Sequence, residues 1–121
     1  MEKLTAKEEE VLNYIWQLGR PCSPREVAEL YPAPQPHVNT VSTSFQTLER
    51  KGYLMHREAG RGYHYLPTIE REDYGRSKLG KVVKNFFAGS YLGVVNTFVK
   101  ESRISREELE ALLDELREQE K

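Results

Sequence analysis

Residues 36–52 read PHVNTVSTSFQTLERKG, and the interpretation of the whole chain starts from this stretch. Its apolar side chains recur every three or four residues, at Val38, Val41, Phe45 and Leu48. That spacing places them on one face of an α-helix, which we expect to pack against a core. Glycine is typical of the residue just beyond a helix C-terminus. The stretch therefore predicts a helix with one buried face that ends at Gly52.

The opposite face of this helix lacks the usual mixture of acidic and basic side chains. It carries short, uncharged hydrogen-bonding residues instead: Asn39, Thr40, Ser42, Thr43, Gln46 and Thr47. Arg50 and Lys51 add positive charge in the last turn. A helix in the DNA major groove needs small polar side chains toward the bases and cations toward the phosphates. The face predicts DNA reading, and the alternative is a Ser/Thr-rich helix that is simply solvated.

Two helix-start signals precede this stretch. Thr5 with Glu8, and Ser23 with Glu26, have the spacing of a capping box, in which the N-cap residue and the third helical residue bond each other's backbone. Several prolines between residues 32 and 36 prevent regular structure before the polar-faced helix. This order of elements predicts a helix-turn-helix arrangement in which the polar-faced helix reads the duplex.

A β-hairpin is predicted directly after that helix. Residues 53–58 and 63–66 have strand composition, and the glycine-containing segment 59–62 between them predicts a turn. Two short strands are not stable alone, so they must pack on the helices, which gives a winged helix. Arg61 lies at the predicted tip and could reach a phosphate or the minor groove. An exposed loop arginine without a DNA contact is the alternative.

Residues 68–121 predict three further amphipathic helices with their own apolar stripes. The stripe residues expected to form a dimer core are Leu79, Val83, Phe86, Phe87, Leu92, Val95, Phe98, Leu109, Leu112, Leu113 and Leu116. Three short helices make a poor isolated domain, so we expect two copies to bury these stripes together in a homodimer. The alternative is a tail that folds back on its own N-terminal domain. The predicted division is a winged-helix domain at 1–67 and a dimerisation region at 68–121.

Composition excludes several classes of protein. The chain has 121 residues, of which 38% are hydrophobic and 31% charged, and its net charge is −1. No apolar run approaches the roughly 20 residues that span a bilayer, so we expect a cytoplasmic protein without membrane insertion. Cys22 is the only cysteine, which favours a buried filler over a disulfide or a cysteine metal site.

No catalytic motif is recognisable. Phosphate-binding glycine spacing, metal-ligand spacing and a nucleophile elbow are all missing, so the sequence predicts no enzyme, no metal and no cofactor. His56 and His64 are expected to face each other across the hairpin, where DNA contact or solvent suits them better than a metal ion. Residues 105–121 carry seven acidic side chains against three basic ones and lie far along the chain from the predicted DNA-reading helix, so they need not repel a duplex.

Nearly the whole chain resembles the penicillinase-repressor family of bacterial transcription regulators. The resemblance rests on Leu4-Thr-Ala-x-Glu8, Pro24-x-Glu26-Val27-Ala28, Thr40-Val41-x-Thr43, Leu48-x-x-Lys51-Gly52, Gly60-Arg61-x-Tyr63-x-Tyr65, Phe87-x-Gly89-Ser90 and Phe98-Val99. It implies a homodimeric repressor with an N-terminal winged helix, bound to double-stranded operator DNA. It also implies inactivation through a membrane sensor metalloprotease system, with cleavage in the C-terminal region near Thr97-Phe98.

The sequence therefore predicts a mainly α-helical chain with one small β-hairpin, and a dimeric, sequence-specific repressor of an inverted-repeat operator. Proteolysis in the C-terminal region is expected to relieve repression. The alternative from a different class is a winged-helix protein-interaction module without DNA binding, which the near-neutral charge favours. A further alternative is a regulator that binds a small ligand in a pocket near Phe86, Phe87 and Tyr91.

Overall fold

The computed structural model describes residues 2–119. Its elements in chain order are α1 Ala6–Leu18, α2 Pro24–Ala28, α3 Val38–Arg50, β1 Leu54–Ala59, β2 Gly62–Pro67, α4 Arg71–Phe86, α5 Tyr91–Lys100 and α6 Arg106–Gln119. The predicted fold class is confirmed, since the described chain is mainly helical with one antiparallel hairpin. The chain forms two compact units that meet between Gly75 and Arg76.

The helix ends are fixed by the capping groups that the sequence predicts. Thr5 and Glu8 exchange side-chain to backbone hydrogen bonds at the start of α1, and Ser23 and Glu26 do so at the start of α2. The C-terminus of α3 closes in a Schellman motif, in which the N–H groups of residues 52 and 53 donate to carbonyls of the last helical turn. Gly52 has a φ of 92°, which a side chain would strain.

The first unit has a single hydrophobic core in which α1, α2, α3 and the base of the hairpin meet. Its members are Leu4, Val11, Leu12, Ile15, Cys22, Val27, Ala28, Val41, Phe45, Leu48, Tyr53 and Leu54. The predicted stripe of α3 supplies three of the most buried side chains, so the inner face of that helix is fixed by packing. Burial, with the nearby Glu26 charge, raises the pKa of Cys22 to about 11, which agrees with an inert filler.

The hairpin packs on this core through β2. Tyr65 exchanges two backbone hydrogen bonds with Cys22, and its ring meets Phe45 edge-on with centroids 5.0 Å apart. The strand register pairs His56 with Tyr65 and His64 with Arg57. Directly opposite residues share a face of the sheet, so the two histidines lie on opposite faces. The prediction that they face each other is wrong, because a two-residue turn sets the register one position away from that pairing.

The second unit consists of the remainder of α4 with α5 and α6. Val83 is its most buried apolar side chain, at 1% exposure. Many large apolar side chains of this unit are exposed: Leu79, Val82, Phe86, Tyr91, Leu92, Val95, Phe98, Val99, Leu112, Leu113 and Leu116. Ser105 and Glu108 form a capping box at the start of α6. Within residues 2–119, no helix is long and apolar enough to cross a membrane.

Candidate nucleic-acid interface

The outer face of α3 presents its polar side chains to solvent. Asn39, Thr40, Thr43 and Gln46 are exposed, and Ser42 is half-buried. The hydroxyl of Thr43 donates to the Asn39 carbonyl at 3.0 Å. This bond occupies the hydroxyl proton, so Thr43 offers the solvent an acceptor oxygen and a methyl group. Those two groups suit a base amino group or a thymine methyl in the major groove.

A histidine caps the N-terminus of this face, which the sequence did not indicate. His37 Nδ1 accepts a hydrogen bond from the Asn39 backbone N–H at 3.0 Å. Serine, threonine, aspartate and asparagine are the usual N-cap residues, so a histidine in that position gives no recognisable signal. The imidazole is exposed beside the first turn of α3, where a helix N-terminus favours anions such as phosphate.

Two predicted backbone-binding arginines have free access to solvent. The Arg50 guanidinium lies 3.7 Å from the Glu2 carboxylate, and both side chains are more than 60% exposed. A pair of that kind is weak, so Arg50 can exchange Glu2 for a phosphate. Arg61 is exposed at the tip of the hairpin, between Gly60 and Gly62. Gly60 has a φ of 64°, as the tight turn requires.

Lys51 is placed differently from the prediction. Its ammonium donates to both carboxylate oxygens of Glu8, at 2.6 and 2.8 Å, and to the Lys3 carbonyl at 3.0 Å. The Lys51 side chain is only 10% exposed and that of Glu8 only 8%. Burial alone would raise the pKa of Glu8, but the Lys51 ammonium and the Thr5 N–H hold it below its usual value. Lys51 therefore joins α1 to the end of α3 and is not available to phosphate.

A second unforeseen contact joins α3 to the wing. His56 Nδ1, on β1, lies 2.5 Å from Oε2 of Glu49 in the last turn of α3. The imidazole also lies 4.7 Å from the Tyr63 ring and 5.5 Å from the Tyr65 ring, measured between centroids. Sequence reasoning missed this pair because its partners lie on different elements, and their meeting depends on how the hairpin packs.

The residues predicted for dimerisation differ in burial. Val83 is buried, Phe87 and Leu109 are half-buried, and the other eight are exposed within the second unit.

The residues predicted for cleavage lie inside α5. Thr97 donates its hydroxyl to the Gly93 carbonyl at 2.9 Å, and Phe98 is 40% exposed. The bond between Thr97 and Phe98 is thus part of a helix.

The described residues offer no arrangement suited to a metal ion. Within residues 2–119, no three or more histidine, cysteine, aspartate or glutamate side chains come together as ligands. His56, which has a carboxylate beside it, is surrounded by tyrosine rings and not by further ligands. The exposed polar groups of the first unit that suit DNA are the outer face of α3 with Arg50, and Arg61 at the tip of the hairpin.

Helices α1 to α3 followed by the hairpin define the first unit as a winged helix-turn-helix. The penicillinase repressor family matches this chain over residues 4–118, so the chain belongs to that family. It is 28% identical over 116 residues to the penicillinase repressor of Bacillus licheniformis, covering 96% of this chain and 91% of that protein. The predicted family is confirmed, and with it a role in repressing transcription, which is not an enzyme class.

Proposed function

We propose that the protein is a homodimeric, sequence-specific DNA-binding repressor of an inverted-repeat operator. The observation that carries this proposal is the exposed outer face of α3, which carries short uncharged donors and acceptors and the exposed Arg50 in its last turn. Arg61 is exposed at the tip of the hairpin that follows. Asn39, Thr40, Ser42, Thr43 and Gln46 are the proposed base-reading and nearby phosphate-contacting residues. The two arginines are proposed to hold the DNA backbone.

The proposed dimer is supported by the apolar surface of the second unit. Phe86 and Leu92 are 79% and 78% exposed, and they belong to a large set of exposed apolar side chains on three helices. Monomeric soluble proteins rarely leave so many large apolar side chains of one region in water. A second copy presents the same surface, so twofold pairing buries both sets and spaces two reading helices for an inverted repeat.

Proteolysis near Thr97 and Phe98 is the proposed route of relief, with a membrane sensor metalloprotease system as partner. The proposal rests on the family relationship and on the position of this bond within α5. Cleavage there would remove the end of α5 and all of α6 from the proposed dimer surface. A protease needs an extended substrate, so α5 must open locally before cleavage.

A protein-interaction module without DNA binding is the second candidate, because the net charge of the chain is only −1. A gel shift with DNA from the region upstream of its own gene separates the two candidates. A retarded band that survives excess random DNA supports the repressor. No band at low salt would support the interaction module.

Thr43→Val is expected to change sequence preference, since it removes the acceptor oxygen and leaves a side chain of similar shape. We expect affinity for the operator to fall by about fivefold to tenfold, with little change on random DNA, because one base contact is lost. Competition binding with systematically substituted operators measures the effect. Equal loss on operator and random DNA would contradict a base-reading role for Thr43.

Arg61→Ala is expected to weaken binding to all sequences. An arginine that contacts phosphate contributes through counterion release, so the slope of log affinity against log salt should fall by about one for each wing. Titrations from low to moderate salt measure that slope. Arg106→Ala is the matched control, since Arg106 is an exposed arginine of α6 that pairs with Glu110 of its own helix. If Arg61→Ala left the slope of log affinity against log salt unchanged, Arg61 would not contact the DNA backbone.

A further inference from the structure

One side chain of the hairpin is bonded to the reading helix. His56 on β1 contacts Glu49 in the last turn of α3, with Nδ1 and Oε2 2.5 Å apart. Among the described residues of the hairpin, 54–67, His56 is the one whose side chain hydrogen-bonds to a helix. His56 pairs with Tyr65, which bonds β2 to Cys22, so the bond to Glu49 fixes the other strand at the same level of the hairpin. The exposed tip at Arg61 lies beyond this level.

The side chains around His56 orient its imidazole toward Glu49. Tyr63 and Tyr65 enclose the imidazole from β2, and Tyr65 in turn packs edge-on against Phe45 in the core. Glu49 faces the imidazole from α3, and Glu58 shares its face of the hairpin on β1. The His56 side chain is 39% exposed, two tyrosine rings contact it, and its Nδ1 is directed at the Glu49 carboxylate.

We propose that His56 is a positioning residue for DNA binding, which braces the wing against α3 through Glu49 and so holds Arg61 in place. This inference rests on the proposed DNA-binding function. A charged imidazole bonds a carboxylate about twice as strongly as a neutral donor does. Histidine is the side chain that gains a proton between about pH 8 and pH 6. A charged imidazole would therefore strengthen the brace, and we expect tighter operator binding in solutions that favour the charged form.

The test compares DNA affinity at about pH 6 and pH 8, where histidine changes charge, by fluorescence anisotropy with DNA from upstream of the protein's own gene. The unmodified protein should bind about twofold to fivefold more tightly per wing at the lower pH, the size expected for a partly exposed pair. His56→Gln keeps an uncharged donor toward Glu49. This variant should therefore bind DNA with the same affinity at both pH values.

Glu49→Gln separates bracing from simple attraction between a charged histidine and DNA. This variant leaves the imidazole free to charge but removes its anionic partner. We expect it to lose the pH ratio as well. If charge attraction alone were responsible, Glu49→Gln would keep the ratio, and the proposal would be overturned.

Two other histidines provide matched controls. His64→Gln changes the opposite face of the same hairpin and should keep the full ratio. His37→Asn keeps an N-cap acceptor on α3 and removes the imidazole at the N-terminus of the reading face. A ratio that disappears in His37→Asn but persists in His56→Gln would overturn the proposal while leaving the repressor function intact. Absence of binding by the unmodified protein at both pH values would overturn both.

Discussion

Replacing Lys51 with methionine is expected to lower the free energy of unfolding by about 2–4 kcal/mol, because its ammonium bonds Glu8 within the first unit. The change removes an ammonium that bonds both oxygens of the buried Glu8 carboxylate and leaves that carboxylate without its counter-charge. Urea denaturation at a fixed protein concentration measures the loss, since the proposed dimer would make stability concentration-dependent.

The same pair predicts how stability depends on pH. The pKa of Glu8 is lower in the folded protein than its ordinary value of 4.5, so the folded state holds the charged form in preference. The resulting stability is fully present above about 4.5 and is lost as the pH falls through the lower, folded pKa. The difference between Lys51→Met and the unmodified protein should therefore shrink in acid, when Glu8 becomes protonated in both.

Two variants make this result specific. Lys84→Met removes an exposed lysine of α4 and should change stability by less than about 0.5 kcal/mol. Glu8→Gln combined with Lys51→Met removes both charges and should recover part of the loss, because no unpaired carboxylate remains. A Lys51→Met variant as stable as the Lys84→Met control would show that the pair is not a structural contact.

The positions of the helices and strands could be predicted because their signals are local. Each capping box involves residues three positions apart, and the stripe of α3 repeats within one helix. The strands β1 and β2 lie within a residue or so of their predicted positions, because glycines bound the turn. Such signals depend on residues that are close together in the chain, so they can be recognised from the sequence alone.

The roles of Lys51 and His56 could not be predicted, because each depends on a partner from another element. Lys51 follows Arg50 at a helix C-terminus, which is a favourable place for any cation, and its partner Glu8 lies 43 positions away in the chain. His56 meets Glu49 only after a two-residue turn has set the hairpin register. The sequence indicates that these side chains are polar, and tertiary packing determines which of them remain available to DNA.

Apolar periodicity in the C-terminal part predicted the helices but not which side chains would be buried. Val83 and Phe86 lie three positions apart on α4, yet Val83 is 1% exposed and Phe86 is 79% exposed. The same spacing serves a face that packs within one chain and a face that we propose a second copy covers. The contrast between these two residues gives the proposed dimer its most direct support.

Leu112→Glu is expected to convert the proposed dimer into a monomer and to reduce operator affinity by about 100-fold or more. Leu112 is 52% exposed on α6, among apolar neighbours that include Leu113 and Leu116. Twofold pairing would bury two new carboxylates, one from each copy, and unpaired buried charge is strongly unfavourable. Loss of pairing removes the effective concentration that links the two half-sites.

Sedimentation equilibrium measures the change in mass, and anisotropy with a full inverted repeat and a single half-site measures affinity. Leu112→Glu should weaken binding to the full repeat far more than binding to the half-site, because only the full repeat benefits from linkage. Ala111→Glu adds the same charge to the opposite side of α6 and should remain dimeric. If Leu112→Glu kept both the dimer mass and the affinity for the full repeat, the exposed face of α6 would lie outside the dimer interface.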